Sequence, residues 1–168
     1  MASAQNWTME KSKSTLSVEA VQTEKPFEGH FNDFQANITL DPQDLTKAAL
    51  SVNVRTESFT SSASDRDETA KQPEWFDVSK FPEAVFESSE ISHVSGDDYF
   101  AKGKLRIKDV ERPLELPFKL KVTGDRAVAD GSLKLNRTDY KVGVGDWADG
   151  VFVGLDVVLN FHIEATRS

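Results

Sequence analysis

Apolar and polar residues alternate with a period of two along most of this chain, the pattern of strands that bury one face. Val110, Leu114, Leu116, Phe118, Leu120 and Val122 share a face opposite Glu111, Glu115, Lys119, Lys121 and Thr123. Tyr99, Ala101, Gly103, Leu105 and Ile107 make a second face, and Ala127, Ala129, Gly131, Leu133 and Leu135 a third. Val157, Leu159, Phe161 and Ile163 make a fourth, Leu50, Val52 and Val54 a shorter one, and Leu16, Val18 and Ala20 an early strand. Between Pro26 and Leu40 the phase slips, with Phe27, Gly29 and Phe31 on odd positions and Phe34, Ala36, Ile38 and Leu40 on even ones. The slip predicts a β-bulge or sharp bend at Asn32–Asp33. One-sided strands with short turn-rich links such as Thr123-Gly124-Asp125 indicate an antiparallel sheet. About eight such strands would curl into a barrel, giving a single all-β domain over residues 5–167.

Two segments depart from this pattern. SSASDRDETAKQ, residues 61–72, lacks alternation and stops at Pro73, which predicts a short exposed helix. EWFDVSKFPEAVFES, residues 74–88, then gathers Trp75, Phe76, Phe81 and Phe86 in what reads as a loop between strands. These aromatics either close one mouth of the barrel or form a satellite cluster beneath the loop, and in both cases they should be largely buried. Small residues also sit in the middle of several inward faces, at Gly29, Ala36, Ala101, Gly103, Ala129 and Gly131. They fit an interior hollow for an apolar ligand or the tight curvature of a barrel corner.

Composition narrows the function classes. The chain has 168 residues, 20 Lys and Arg against 28 Asp and Glu, a net charge of -8 and no cysteine. Nucleic-acid binding needs clustered cations, so this balance disfavours it. Disulfide and thiol chemistry are excluded. No run reaches the roughly 20 apolar residues of a membrane-spanning helix. MASAQNW lacks the apolar core of a signal peptide, although Ala2-Ser3-Ala4 matches the small-x-small pattern that precedes a cleavage site.

Motifs of enzymatic chemistry are sparse. His30, His93 and His162 have no metal-ligand spacing, and KVGVGDWADG lacks the strand-to-helix setting of a dinucleotide fingerprint. It reads as a rim loop carrying Trp147. Asp65, Asp67, Glu68, Asp97 and Asp98 have no EF-hand spacing, and no GxSxG elbow occurs. Asn6, Asn37 and Asn136 each begin an N-x-T sequon.

Several spaced motifs together carry a resemblance. FEGHFNDFQANITLDP, SDRDETAKQPEWFDVSKFPEAVFES and YFAKGKLRIKDVERPLELPF occur in the order found in the YceI-like family. The similarity runs from Trp7 to about Ala165. RTDYKVGVGDWADG followed by VVLNFHIEA resembles the subgroup associated with membrane cytochromes b561.

The resemblance implies a lipocalin-like barrel with a long apolar tunnel for an isoprenoid quinone or polyprenyl phosphate, and no enzymatic activity. It also implies a periplasmic or secreted location and a cytochrome b561-type partner. A homodimer is compatible with the sequence. By this resemblance the tunnel wall is made of Phe27, Phe31, Phe34, Ile38, Val52, Val54, Leu105, Ile107, Leu116, Phe118, Leu133, Leu135, Leu159 and Phe161. Trp75, Phe76, Phe81, Phe86 and Trp147 flank it, and Arg66, Asp67 and Arg137 are candidate head-group contacts or rim ion pairs. Two other function classes fit the sequence: an enzyme acting on a small lipid or sugar ester at the barrel mouth, and a polysaccharide-binding module. The first needs a cavity-facing carboxylate or histidine with a perturbed pKa; the second needs exposed coplanar aromatics.

Overall fold

The computed structural model describes residues 6–41 and 43–167, so Ala2-Ser3-Ala4 and Gln5 lie outside the described residues. Its elements are β1 (Asn6–Met9), β2 (Thr15–Gln22), β3 (Lys25–Phe31), β4 (Phe34–Thr39), β5 (Ala49–Arg55), β6 (Phe59–Thr60), α1 (Ser64–Ala70), β7 (Glu83–Ser95), β8 (Asp98–Ile107), β9 (Val110–Thr123), β10 (Arg126–Asn136) and β11 (Asp156–Arg167). The eleven segments make eight strands, because β1 with β2, β3 with β4 and β5 with β6 are each one long strand broken in the middle. All neighbours pair antiparallel, and β1 closes the barrel by pairing with both β4 and β11.

The three breaks lie side by side. Asn32–Asp33 separates β3 from β4, where the phase of the apolar residues slips. The other two breaks contain 3₁₀ turns at Lys11–Lys13 and Thr56–Ser58, and neither shows in the apolar pattern. The backbone stitches the breaks together: Arg55 N–H donates to the Asp33 carbonyl (2.9 Å) and Asn32 N–H to that of Ser58 (3.3 Å). Lys11 Nζ reaches the Asp33 carboxylate at 3.3 Å. Three adjacent strands therefore bend along one crease.

On one side of the crease the ladder runs around the whole barrel. On the other side, β6 pairs with β3 while β7 begins at Glu83, opposite Arg55 of β5. The gap between β6 and β7 is covered by α1 and residues 71–82. Asp67 fastens the helix: its carboxylate accepts from Ser61 N–H (2.8 Å), Ser61 Oγ (2.6 Å) and Thr60 Oγ1 (3.2 Å). Arg66 lies 4.0 Å over the Phe27 ring and donates to Gln22 Oε1 (2.8 Å), Ser61 Oγ (2.7 Å) and the Ser61 carbonyl (2.9 Å). The aromatic stretch is part loop and part strand, since Trp75, Phe76 and Phe81 precede β7 and Phe86 lies within it.

A second loop, residues 137–155, covers the mouth next to the first. Gly143 and Val144 N–H both donate to the Glu74 carbonyl (2.7 and 2.9 Å), joining the two loops. Arg137 organises the second loop from inside. Its guanidinium is buried, stacks 4.9 Å from Trp75, and directs all five donors to the carbonyls of Val142, Gly143, Trp147, Val153 and Gly154 at 2.6–3.0 Å. Gly143 has φ +79°, and a Cβ there would collide with the guanidinium, so glycine is needed on both counts.

On the outer surface, His162 pairs with Asp130 across the β10–β11 ladder, its Nδ1 2.5 Å from the carboxylate, and its Nε2 lies 2.9 Å from Glu164. Glu164 and Glu10 are in turn bridged by Arg126. The hydrogen bonds to Glu164 and then Asp130 raise the His162 pKa above its ordinary value. A raised folded-state pKa favours folding below the unfolded value of about 6.5, and that contribution is lost as pH rises through the folded pKa. Denaturation midpoints measured across neutral pH should therefore fall with rising pH in the parent protein, and His162→Gln should flatten that dependence. For Arg137→Lys, the shorter cation leaves buried carbonyls unpaired, and a loss of about 3 kcal/mol or more is expected in urea unfolding.

Candidate functional site

The barrel interior holds two chambers. The larger, of about 280 Å³, lies on the mouth side of the crease and is lined by Leu16, Val18, Ala20, Phe27, Phe31, Val54, Phe59, Phe76, Ala84, Leu105, Ile107, Leu135, Val157 and Leu159. This size is near the lower edge of the roughly 300–1,000 Å³ of small-molecule sites. The smaller, of about 60 Å³, lies at the closed end among Trp7, Ile38, Leu40, Leu50, Ile91, Leu116, Phe118, Leu120, Phe161, Ile163 and Ala165. Trp7 closes that end, its buried Nε1–H donating to the Leu40 carbonyl at 2.9 Å.

Each strand contributes to the two chambers in sequence order. Along β5, Val54 lines the large chamber and Leu50 the small one, with Val52 between. Phe27 and Phe31 of β3 line the large chamber and Ile38 the small, with Phe34 and Ala36 between. On β7 the residue between is Phe86, which pairs with Val52 and Leu105; on β10 it is Leu133. Phe34, Ala36 and Phe86 are buried and Val52 packs against them, making an apolar waist at the level where Leu133 also lies between the chambers. The resemblance implies one long tunnel; the apolar interior here consists of two chambers in line along the same strands, with this waist between them.

The mid-strand glycines account for part of the filling. A Cβ on Gly29 would overlap the Phe59 ring, and one on Gly131 would overlap that of Phe161. The small residues here admit aromatic rings from neighbouring strands instead of leaving open space.

The aromatic stretch performs three separate tasks. Trp75 and Phe76 line the large chamber, Phe76 packing edge-on against Phe31 at 5.6 Å. Phe86 belongs to the waist. Phe81 lines neither chamber; its carbonyl accepts from Thr56 Oγ1 (3.0 Å), tying the loop to the crease. Trp147 joins the site from the second loop, meeting Trp75 at 5.4 Å and donating from Nε1 to Glu74 at 2.9 Å.

Polar groups gather at the mouth. Arg66, Asp65, Thr69, Gln22, Thr56 and Tyr140 border the large chamber, and burial raises the Tyr140 pKa. Asp67 faces Ser61 and Thr60 and does not line the chamber. Arg137 borders it with every donor engaged, whereas Arg66 uses three of its five N–H groups among the described residues. Trp75 Nε1 is buried with no hydrogen-bond partner among the described residues. Sequence reasoning missed Tyr140, Val142 and Val153 as lining residues, because they lie on the irregular loop where no periodicity operates.

Outside the mouth, Val21, Val151 and Phe152 are 41%, 67% and 54% exposed and form an apolar lip. Thr23 N–H donates to the Phe152 carbonyl and Gly154 N–H to that of Val21, both at 2.8 Å, which holds the β2–β3 turn against the second loop. Phe152 also meets Trp147 edge-on at 6.0 Å.

Comparison with known proteins places this architecture. Residues 7–165 match the model of the YceI-like domain. The UPF0312 protein of Pectobacterium atrosepticum is 32% identical over 147 residues, covering 83% of this chain and 73% of the relative. The crystal structure of Burkholderia cenocepacia BcnA superposes with a TM-score of 0.90 at 30% identity, covering 94% of this chain and 99% of BcnA. The YCEI protein of Campylobacter jejuni gives a TM-score of 0.74 at 21% identity, covering 83% and 84% of the two chains. A polyisoprenoid binding domain from Saccharophagus degradans, implicated in plant cell wall breakdown, shares the fold at a TM-score of 0.74 and 11% identity, covering 96% of this chain and 98% of that domain. Matched along nearly its whole described length in sequence and in fold, the chain belongs to the YceI-like family.

Proposed function

We propose that this protein binds and carries a long-chain isoprenoid lipid without acting on it chemically, and that the lipid is an isoprenoid quinone. The apolar chamber opening at a polar-rimmed mouth carries this reading. The polyisoprenoid binding domain of Saccharophagus degradans supports it by its shared fold. A neutral head group suits the mouth better than a phosphate does. Arg137 has no donor left, Arg66 is held by three hydrogen bonds, and Asp65 also borders the chamber. A quinone carbonyl needs only one or two N–H donors, and Arg66 has two beyond those it uses among the described residues.

Energetics favour carriage over permanent storage. Burying each five-carbon unit is worth about 4 kcal/mol against water, at roughly 0.8 kcal/mol per CH₂. A bilayer offers the tail an equivalent environment, so transfer between membrane and barrel lies near balance. The lip of Val21, Val151 and Phe152 gives the mouth an apolar border across which a tail can pass. A periplasmic or secreted setting and a cytochrome b561-type partner belong to this proposal through the family resemblance alone.

The test is transfer of a fluorescent prenyl quinone between zwitterionic vesicles. The parent protein should accelerate it. Ala20→Phe, which places a ring in the large chamber, should slow it by about tenfold or more, equivalent to about 1.4 kcal/mol, while the protein stays folded. A parent protein that transfers quinone no faster than vesicles alone contradicts the proposal.

A further inference from the structure

The barrel wall carries an unpaired seam beside the waist. β9 and β10 pair over five residues, from Thr123↔Arg126 to Lys119↔Asp130, although β9 continues to Val110 and β10 to Asn136. Beyond that point each strand keeps its other partner, β9 with β8 down to Val110 and β10 with β11 down to Asn136.

The sequence explains why the ladder stops. Leu120 N–H donates to Asp97 at the β8 side, so even positions of β9 face β8 and odd positions face β10. Continued in register, Pro117 would stand opposite Ser132, Glu115 opposite Lys134 and Pro113 opposite Asn136. Of these three odd positions only Glu115 has an N–H to donate. Two prolines on the same side, four residues apart, mark an edge that cannot be zipped.

Gly131, the first β10 residue past the ladder, has no side chain, and the Phe161 ring lies in that notch. Phe161 and Phe118 border both the small inner chamber and a shallow outer hollow that includes Pro117, Gly131 and Val94. Two aromatic rings thus plug the place where inside and outside come closest. The seam extends from there to Leu135, which lines the large chamber, so it runs past the waist from one chamber to the other.

Capacity makes this arrangement consequential. The large chamber of about 280 Å³ holds roughly nine water-sized groups of about 30 Å³ each, or about two isoprene units. A longer tail must cross the waist or remain outside. The β4–β5, β5–β7, β7–β8, β8–β9 and β10–β11 ladders run through the level of the waist, and widening the barrel there would break backbone hydrogen bonds. Along the seam no ladder pair has to be given up.

We propose that the β9–β10 seam is the yielding part of the wall that sets which tail lengths the barrel accepts: a long tail parts the two strands, displaces Phe161 from the Gly131 notch and joins the two chambers. This rests on the reading of the barrel as an isoprenoid carrier.

The test uses the absence of native cysteine. Glu115→Cys and Lys134→Cys place spin labels at two exposed positions facing one another across the seam. Their separation is measured by double electron–electron resonance in the empty protein, with a short-tailed quinone of about two isoprene units, and with a long-tailed one of about eight. The expected result is an unchanged distance with the short tail and a distance longer by several ångströms with the long one. Bound long tail with an unchanged distance overturns the seam and leaves carriage standing. Failure of both quinones to bind the doubly labelled protein and the parent chain, measured by native mass spectrometry, overturns carriage and the seam together.

Discussion

The crease through three neighbouring strands is the constraint on which the rest of this barrel depends. A sheet of eight antiparallel strands closes when its register returns to the first strand, and β1 achieves this against β11 and β4. Had β1–β2, β3–β4 and β5–β6 stayed straight, side chains would fill so small a barrel. The breaks at residues 10–14, 32–33 and 56–58 turn β2, β3 and β6 away from β7, and that divergence makes the large chamber. It also creates a hole in the wall, which α1 and the aromatic loop must cover. Bending, chamber and cover are consequences of one another.

The covering loops show how an apolar chamber keeps its polar surroundings in order. Irregular backbone over a chamber leaves carbonyls with few partners, and each buried unpaired group costs about 1–3 kcal/mol. Arg137 satisfies five of them at once from a single buried side chain, and Lys108 Nζ satisfies two more, on Pro73 and Lys141. Burial lowers the pKa of both cations, yet among the described residues neither has a carboxylate within ion-pairing distance. Their charge is spread over carbonyl dipoles.

Much of the fold was legible because one-sided strands have a period that a sequence displays. The slip at Asn32–Asp33 revealed one of the three breaks, since it moved the apolar residues from odd to even positions. The breaks at 10–14 and 56–58 stayed hidden, because a 3₁₀ turn between short strand pieces leaves too few residues to establish a phase. Phe86 reads as part of a loop from its neighbours Phe81 and Pro82, yet it pairs with Val52 and Leu105 in β7. The chamber itself was only half legible. Small residues at Gly29 and Gly131 suggested hollowness, and the structure fills those notches with Phe59 and Phe161 from adjacent strands. Such filling depends on distant pairings that local alternation does not encode. Arg137 is an isolated cation in sequence, and only the return of residues 142–154 around it reveals its five partners.

The central claim is that the large chamber holds an isoprenoid lipid. Native mass spectrometry of freshly purified protein, paired with mass analysis of its organic extract, addresses that claim directly. The account predicts an intact mass heavier than the chain by one guest and an extract containing a prenylated quinone in matching amount. A folded protein that travels at the bare chain mass, and that remains so after incubation with quinone-loaded vesicles, would contradict it.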